Sequence, residues 1–223
     1  MIFELAVFHP DSVAIAQAFN ISRIELCDNY QVGGVTPSID NFISARKIFT
    51  GPIMVMIRPQ AGNFVYDDAI LNQMLEEIKT FDALGADGFV FGCLTSDNNV
   101  NTLQLEQLVN VANHKPVTFH RAIDEVTNYE KGIQDLIHCG VASVLTTGKM
   151  KSALDGKDVI NSMIHQYGSQ LNFIAGGGVR SNNVTALLRD SRISEIHSAA
   201  IINHPDFIAD KEEVLAILEK TKN

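Results

Sequence analysis

The segment DDAILNQMLEEIKTFDALGADGFVFG, residues 67–92, decides the fold because it contains one complete helix-to-strand unit. Asp67 is typical of a residue that begins a helix, since its carboxylate can accept from the free backbone N–H groups there. Gly85 suits the end of that helix, because glycine adopts left-handed backbone without strain. Residues 87–92 are short, apolar and rich in Phe, as expected of a buried strand.

The same unit recurs along the chain. Eight β-rich runs begin about 20 to 34 residues apart, which is the length of one strand with its crossover helix. They lie near residues 2–8, 22–27, 53–58, 87–92, 116–121, 142–147, 171–175 and 194–198. Eight strands alternating with eight helices predict a (β/α)8 TIM barrel. An open doubly wound sheet is the alternative, but it usually has fewer strands and a glycine-rich turn directly after the first one.

Composition limits the class of protein. The chain has 223 residues, 46% apolar and 19% charged, which excludes bulk disorder, and with no linker visible it predicts one domain over residues 1–223. A net charge of −9 argues against nucleic acid or an anionic membrane as the main partner. No run approaches the length of a membrane span, and no targeting signal is recognised. Three widely spaced cysteines without a CxxC pair fit a reducing cytoplasm, where we expect the protein.

Alternation within the strands predicts which side chains point into the barrel. In residues 23–27, Ile24 and Leu26 suit the helix side, so Glu25 and Cys27 point inward. The inward set of ionisable side chains is Glu4, Glu25, Arg58, His120, Glu195 and His197. Burying so many of these groups is costly unless they pair with one another or bind a ligand.

Three polar side chains are predicted at the barrel end where such enzymes keep their active sites. Arg58, His120 and Thr147 all lie late in their strands. Arg58 can clamp a carboxylate or phosphate with its two-pronged guanidinium, and His120 can exchange a proton near neutral pH. We predict His120, Arg58 and Glu25 as the candidate catalytic residues. The alternative is a structural network in which Glu4, Glu25 and Arg58 neutralise one another.

A run of three glycines follows the seventh strand. Gly176, Gly177 and Gly178 precede Ser181, which begins a predicted helix. Backbone amides without an obstructing Cβ suit phosphate, and barrels often bind phosphate after strands seven and eight. Together with Arg58 these glycines form the predicted anion-binding set. The alternative is a plain tight turn.

The candidate metal ligand is Cys27, with Met56 or His120 as the second ligand that a lone thiolate needs. Thiolate and thioether are soft donors and suit Cu(I). The alternative for Met54 and Met56 is that they only fill the barrel core.

Several motifs extend over roughly residues 2–202. They are RIELC at 23–27, GGVTPS at 33–38, MIRP at 56–59, GADG at 85–88, VFG at 90–92, PVTFHRA at 116–122 and GGGV at 176–179. In this order and spacing they resemble the CutC family of copper-homeostasis proteins. The resemblance implies a cytosolic TIM barrel, commonly a homodimer, that takes part in the control of intracellular copper.

The resemblance also concerns individual residues. Copper binding in the family is attributed to cysteines on the first two strands. Cys27 matches the second-strand cysteine, but Ala6 occupies the first-strand position, so that pair cannot form here. Gln60 and Asn63 replace an Arg and an Asp that are usual in the family.

Three functions therefore remain open. The first is a CutC-type copper-homeostasis protein that binds Cu(I). The second is a TIM-barrel enzyme or binding protein for a small phosphate- or carboxylate-bearing metabolite, with Arg58 and His120 at the barrel mouth. The third is a structural protein without catalytic activity that acts through a protein partner. The sequence identifies no substrate or reaction.

Overall fold

A computed structural model describes residues 1–202 and 205–222, and in this part of the chain eight parallel strands close into a barrel. The strands are β1 (Ile2–Val7), β2 (Arg23–Leu26), β3 (Ile53–Met56), β4 (Gly88–Phe91), β5 (Val117–Phe119), β6 (Ser143–Thr146), β7 (Asn172–Gly176) and β8 (Glu195–Ser198). Each strand pairs with its neighbour in sequence, and β8 pairs with β1. The predicted TIM barrel is confirmed.

Helices follow the strands and cover the outside of the barrel. They are α1 (Pro10–Ala18), α2 (Ile39–Ile48), α3 (Asp68–Ala83), α4 (Thr102–Val111), α5 (Tyr129–His138), α6 (Lys157–Tyr167), α7 (Val184–Leu188) and α8 (Lys211–Thr221). Two short 3₁₀ turns, Tyr30–Val32 and Arg121–Glu125, follow β2 and β5. The predicted domain span of 1–223 includes Asn203, His204 and Asn223, which lie outside the described residues, and stays a prediction.

The helix α3 shows how the sequence produces this unit. The Asp67 carboxylate accepts from the N–H of Ile70 at 2.9 Å and so begins the helix. Gly85 has a φ of +91°, which ends the helix without strain. The apolar stripe buried against the barrel consists of Leu71, Met74, Ile78 and Phe81. Strand and helix therefore share one continuous hydrophobic layer.

Several strands end sooner than the sequence predicts. β3 ends at Met56, and β5 and β6 end at Phe119 and Thr146. Arg58, His120 and Thr147 therefore lie just beyond the strand ends rather than within them. These residues begin the loops at the barrel mouth, and of the three only His120 still donates its N–H to a strand carbonyl, that of Phe91 on β4 at 3.0 Å.

The inner layer of the barrel contains an ion network at its amino-terminal half. Arg23 donates from Nε to Glu4 at 2.5 Å and from Nη2 to Glu195 at 2.8 Å. His197 places Nδ1 2.8 Å from Glu4 Oε1 and Nε2 3.7 Å from Glu25 Oε2. Arg23 is the cation that neutralises these carboxylates, and alternation along β2 also predicts that its side chain points inward. The structural alternative assigned this role to Arg58 instead.

The network shifts the pKa values of Glu4 and His197 in opposite directions. Burial alone would raise the pKa of Glu4, but the hydrogen bond from His197 and the charge of Arg23 outweigh it and hold that pKa below its usual value. Burial would lower the pKa of His197, but the carboxylates of Glu25 and Glu4 outweigh it and raise that pKa. We infer that Glu4 is ionised and that charge pairing balances the cost of its burial.

Candidate functional site

A cavity of about 500 Å³ opens at the carboxyl end of the barrel. Its wall includes predicted site residues from four different βα units, namely Glu25, Met56, Arg58, His120, Gly177 and Gly178. Gly176 ends β7, and the buried Cys27 lies outside the cavity lining. The fold therefore brings most of the predicted site residues together at the end where TIM barrels bind ligands.

Arg58 uses most of its guanidinium on backbone carbonyls. Nη1 donates to the carbonyls of Val32 and Gly34, each at 2.9 Å, and Nη2 donates to that of Gly62 at 2.8 Å. A free two-pronged clamp for a ligand was expected, but these donors already join the loops after β2 and β3. We interpret Arg58 as a positioning residue that also contributes positive charge to the cavity wall.

Phe64 connects Arg58 to His120. The guanidinium carbon of Arg58 lies 5.0 Å from the centre of the Phe64 ring, and the His120 ring lies 4.7 Å from it. The carbonyl of Phe64 accepts from the N–H of Leu94 at 2.8 Å, which fixes the loop against β4. Removal of Arg58 would therefore also disturb the placement of His120.

His120 is held as a neutral hydrogen-bond donor. Its Nδ1 accepts from the N–H of Ala122 at 3.2 Å, so the neutral ring carries its proton on Nε2. Nε2 is buried and has no partner among the described residues. Burial, and then the charge of Arg58, lower the pKa of His120 to about 3. This differs from the expectation that His120 exchanges protons near neutral pH.

The low pKa of His120 predicts acid lability. In the unfolded chain the residue binds a proton below about pH 6.5, whereas in the folded protein it does so only near pH 3. The unfolded state therefore binds more protons in this window, and stability falls as the pH falls, by about 1.4 kcal/mol per unit. His120→Gln removes this contribution.

Urea unfolding near pH 7 and near pH 5 checks the prediction. Between these two conditions, we expect the variant to lose about 2 kcal/mol less than the natural protein. Equal losses in both proteins would contradict the assignment of a buried neutral imidazole.

Sequence reasoning missed Arg121, the residue after His120. A Cβ added to Gly177 would stand 3.5 Å from Cζ of Arg121, so the guanidinium lies directly beside the glycine backbone. Arg121 Nε donates to Asp124 at 3.2 Å. Asp124 is in turn fixed by the hydroxyl of Thr146 at 2.6 Å and the N–H of Thr147 at 3.0 Å. Side-chain alternation predicts direction only within a strand. The sequence signal for Arg121 is therefore limited to its position just after the end of β5.

Arg180 also lines the cavity, but its donors are occupied. Nη1 donates to the carbonyl of Val179 at 2.8 Å and to the hydroxyl of Ser198 at 3.1 Å, and Nη2 donates to the carbonyl of Ile201 at 3.2 Å. This arginine therefore fixes the segment after β8. Among the three arginines of the cavity wall, Arg121 keeps the most donors free.

Sulfur atoms collect on the inner face of β2 and β3. Cys27, Met54, Met56 and Val90 form one buried cluster, with Phe8 packed on it. A Cβ on Gly34 would stand 3.4 Å from Sγ of Cys27 and 3.6 Å from Cε of Met56, so both side chains pack beside the same glycine. We name Cys27, Met54 and Met56 the sulfur cluster. His120 is not part of it.

The Cys27 thiol is protonated in this setting. Burial, and then the charge of Glu25, raise its pKa well above the usual value, and its Sγ lies 3.5 Å from Glu25 Oε2. Ala6 on β1 pairs in register with Glu25 on β2, so no second thiol faces Cys27 from β1. Within residues 1–202 and 205–222, no three His, Cys, Asp or Glu side chains are grouped to hold a metal ion.

The described helices also bear on membrane association. None of those in the described part of the chain combines the length and apolar character that crossing a bilayer requires.

Comparison with known proteins gives a consistent result. The model of the CutC family matches residues 1–202. A CutC family protein of Glaesserella parasuis is 36% identical over 197 residues, which cover 88% of this chain and 81% of that protein. A copper homeostasis protein cutC homolog of Caenorhabditis elegans is 35% identical over 201 residues, covering 89% and 80% of the two chains.

Solved structures agree with the sequence comparisons. A crystal structure of a CutC protein from Streptococcus agalactiae superposes with a TM-score of 0.84 at 30% identity, covering 89% of this chain and 98% of that one. N-(5'-phosphoribosyl)anthranilate isomerase from Pyrococcus furiosus superposes with a TM-score of 0.62 at 13% identity, covering 100% and 99% of the chains. That second likeness shows the barrel fold alone.

Proposed function

Since this chain belongs to the CutC family, we propose that it takes part in copper homeostasis by binding Cu(I) as its cargo. The observation that supports this is the sulfur cluster, in which Cys27 and Met56 pack together beside Gly34. On the same family grounds we propose a cytoplasmic homodimer.

The donor set has the chemistry that Cu(I) prefers. Thiolate and thioether are soft ligands, and two of them can hold this ion where a hard cation would need several oxygens. With Ala6 on the first strand, Met56 takes the place of a second cysteine. Met56 also lines the cavity, so an ion can reach Cys27 from the barrel mouth through the thioether. Binding of Cu(I) releases the proton of the Cys27 thiol, because the thiolate is the form that coordinates the ion.

Replacing Cys27 tests the proposal. A reduced sample is titrated with Cu(I) against a competing chelator, alongside Cys27→Ser, Met56→Leu and the control Cys139→Ser. Cys139 is also a free, buried thiol, but its Sγ lies near the carbonyl of Thr102, outside the sulfur cluster. We expect one Cu(I) per chain and a loss of affinity of at least about 100-fold in Cys27→Ser, equivalent to about 2.7 kcal/mol.

The other two variants test whether Met56 is a ligand and whether the effect is specific to Cys27. Met56→Leu keeps the volume and removes the donor, so it should weaken Cu(I) binding while Cys139→Ser leaves it unchanged. Equal affinity in all four proteins would show that Cys27 does not hold the ion and that any connection with copper is indirect.

A further inference from the structure

We propose that the mouth cavity binds a small organic anion, a phosphate- or carboxylate-bearing compound that also carries hydroxyl and carbonyl groups. Its anionic group lies between the backbone amides of Gly177 and Gly178 and the guanidinium of Arg121. A neutral part of the molecule reaches the buried polar atoms of His120 and Glu25. This function goes beyond copper binding and does not depend on it.

The anionic end has a built cradle. Gly177 and Gly178 have φ values of +98° and +74°, and neither N–H has an acceptor among the described residues. A Cβ on Gly177 would come within 2.5 Å of Cγ2 of Thr147. Only glycine therefore allows Thr147 to approach this backbone so closely, and successive open amides in a turn favour an anion.

Arg121 supplies charge in a fixed orientation. Its Nε is held by Asp124, whose side chain is about nine-tenths buried and is anchored to β6 and the residue after it. The two terminal nitrogens of Arg121 have no acceptor in the described part of the chain. A guanidinium with one edge fixed and the other open is suited to an oxyanion.

The neutral end is indicated by two unpaired atoms. Nε2 of His120 and Oε1 of Glu25 are both buried, both lack a partner among the described residues, and both belong to residues of the cavity wall. An unpaired buried donor or acceptor is destabilising, so such atoms commonly mark where a ligand or ordered water binds. Nε2–H can donate to a carbonyl oxygen, and Oε1 can accept from a hydroxyl group.

Charge and size restrict the ligand further. Glu25, Asp124 and Glu125 face the cavity, and of these Asp124 is paired with Arg121. The anionic group is therefore directed toward the glycines and away from Glu25. A cavity of about 500 Å³ accommodates a molecule of the size of a pentose phosphate.

The experiment uses defined probes on the whole protein. Ribose 5-phosphate, unphosphorylated ribose, inorganic phosphate and malate are titrated by calorimetry, and the amide resonances of Gly177 and Gly178 are followed by NMR. The variants are Arg121→Gln and the control Lys131→Gln, whose side chain lies on α5 and pairs with Asp135. All titrations use metal-free protein, which separates this site from copper binding.

We expect ribose 5-phosphate to bind more tightly than inorganic phosphate, ribose to bind weakly, and the glycine amides to shift. Arg121→Gln should weaken binding by about 10-fold or more, because a hydrogen bond to a charged group is lost. Lys131→Gln should leave it unchanged. Preferred binding of malate would identify a carboxylate as the anionic group at the same cradle.

Two results would overturn the proposal. One is the absence of binding by every anionic probe at millimolar concentration. The other is binding that neither shifts the amides of Gly177 and Gly178 nor weakens in Arg121→Gln. Since the amides are observed in the natural protein, the test does not depend on the folding of any variant.

Discussion

Replacing Arg23 with Met is expected to destabilise the barrel by about 3–5 kcal/mol, the usual cost of removing one partner from a buried ion network. Arg23 donates to both Glu4 and Glu195, and these carboxylates are buried inside the barrel. Methionine keeps much of the volume but none of the charge. The loss of stability therefore reports the cost of leaving Glu4 and Glu195 without the cation that they share. Within the described structure, His197 is the only other cation near Glu4.

Urea denaturation of Arg23→Met beside Lys131→Met checks this prediction. Lys131 pairs with Asp135 at 2.7 Å on the exposed face of α5, where we expect a change below about 0.5 kcal/mol. If the two substitutions cost the same, Arg23 would not be needed to balance the inner carboxylates. The structural role assigned to the network would then be wrong.

The second large effect is expected for Gly177→Ala, at about 3 kcal/mol of lost stability. Left-handed backbone costs an alanine about 1–2 kcal/mol, and overpacking costs about 1–3 kcal/mol. The overpacking arises because the new Cβ would stand 2.5 Å from Cγ2 of Thr147. Binding of inorganic phosphate should be lost as well, since a displaced Thr147 disturbs Asp124, which accepts from its N–H and orients Arg121.

Gly85→Ala is the matched control for this substitution. Gly85 also has a positive φ, of +91°, but nothing lies within 4 Å of its added Cβ. It should cost only the backbone contribution of about 1–2 kcal/mol. Equal midpoints for Gly85→Ala and Gly177→Ala in urea denaturation would mean that Thr147 moves aside freely. The cradle would then lack the close packing inferred for it.

The barrel was predictable because its signals are local. Strand runs, apolar helix stripes and helix ends such as Asp67 and Gly85 are each encoded within a few residues, and eight repeats of one unit favour a single closed architecture. Alternation along β2 also points Glu25 inward, and Glu25 is found there. The strand ends differ, because the predicted runs 53–58 and 116–121 include Arg58 and His120, whereas β3 and β5 end at Met56 and Phe119.

The roles within the site depended on contacts that no local pattern encodes. The inward position of an arginine does not say whether its donors are free, and Arg58 proves to be engaged by carbonyls of two loops. His120 becomes a neutral donor only because burial and Arg58 act on it together. Arg121 follows a strand end, where alternation no longer predicts direction.

The amino-acid sequence by itself determined the TIM barrel, the family and the set of polar residues at one end of it, because periodicity and motif spacing are properties of short segments. Only the tertiary structure decided that Arg23 rather than Arg58 neutralises the inner carboxylates, and that Cys27 and Met56 pack together beside Gly34. It also decided that Arg121 lies beside Gly177. The physical reason is that charge, pKa and ligand geometry depend on distances between side chains from different strands, and closure of the barrel sets those distances.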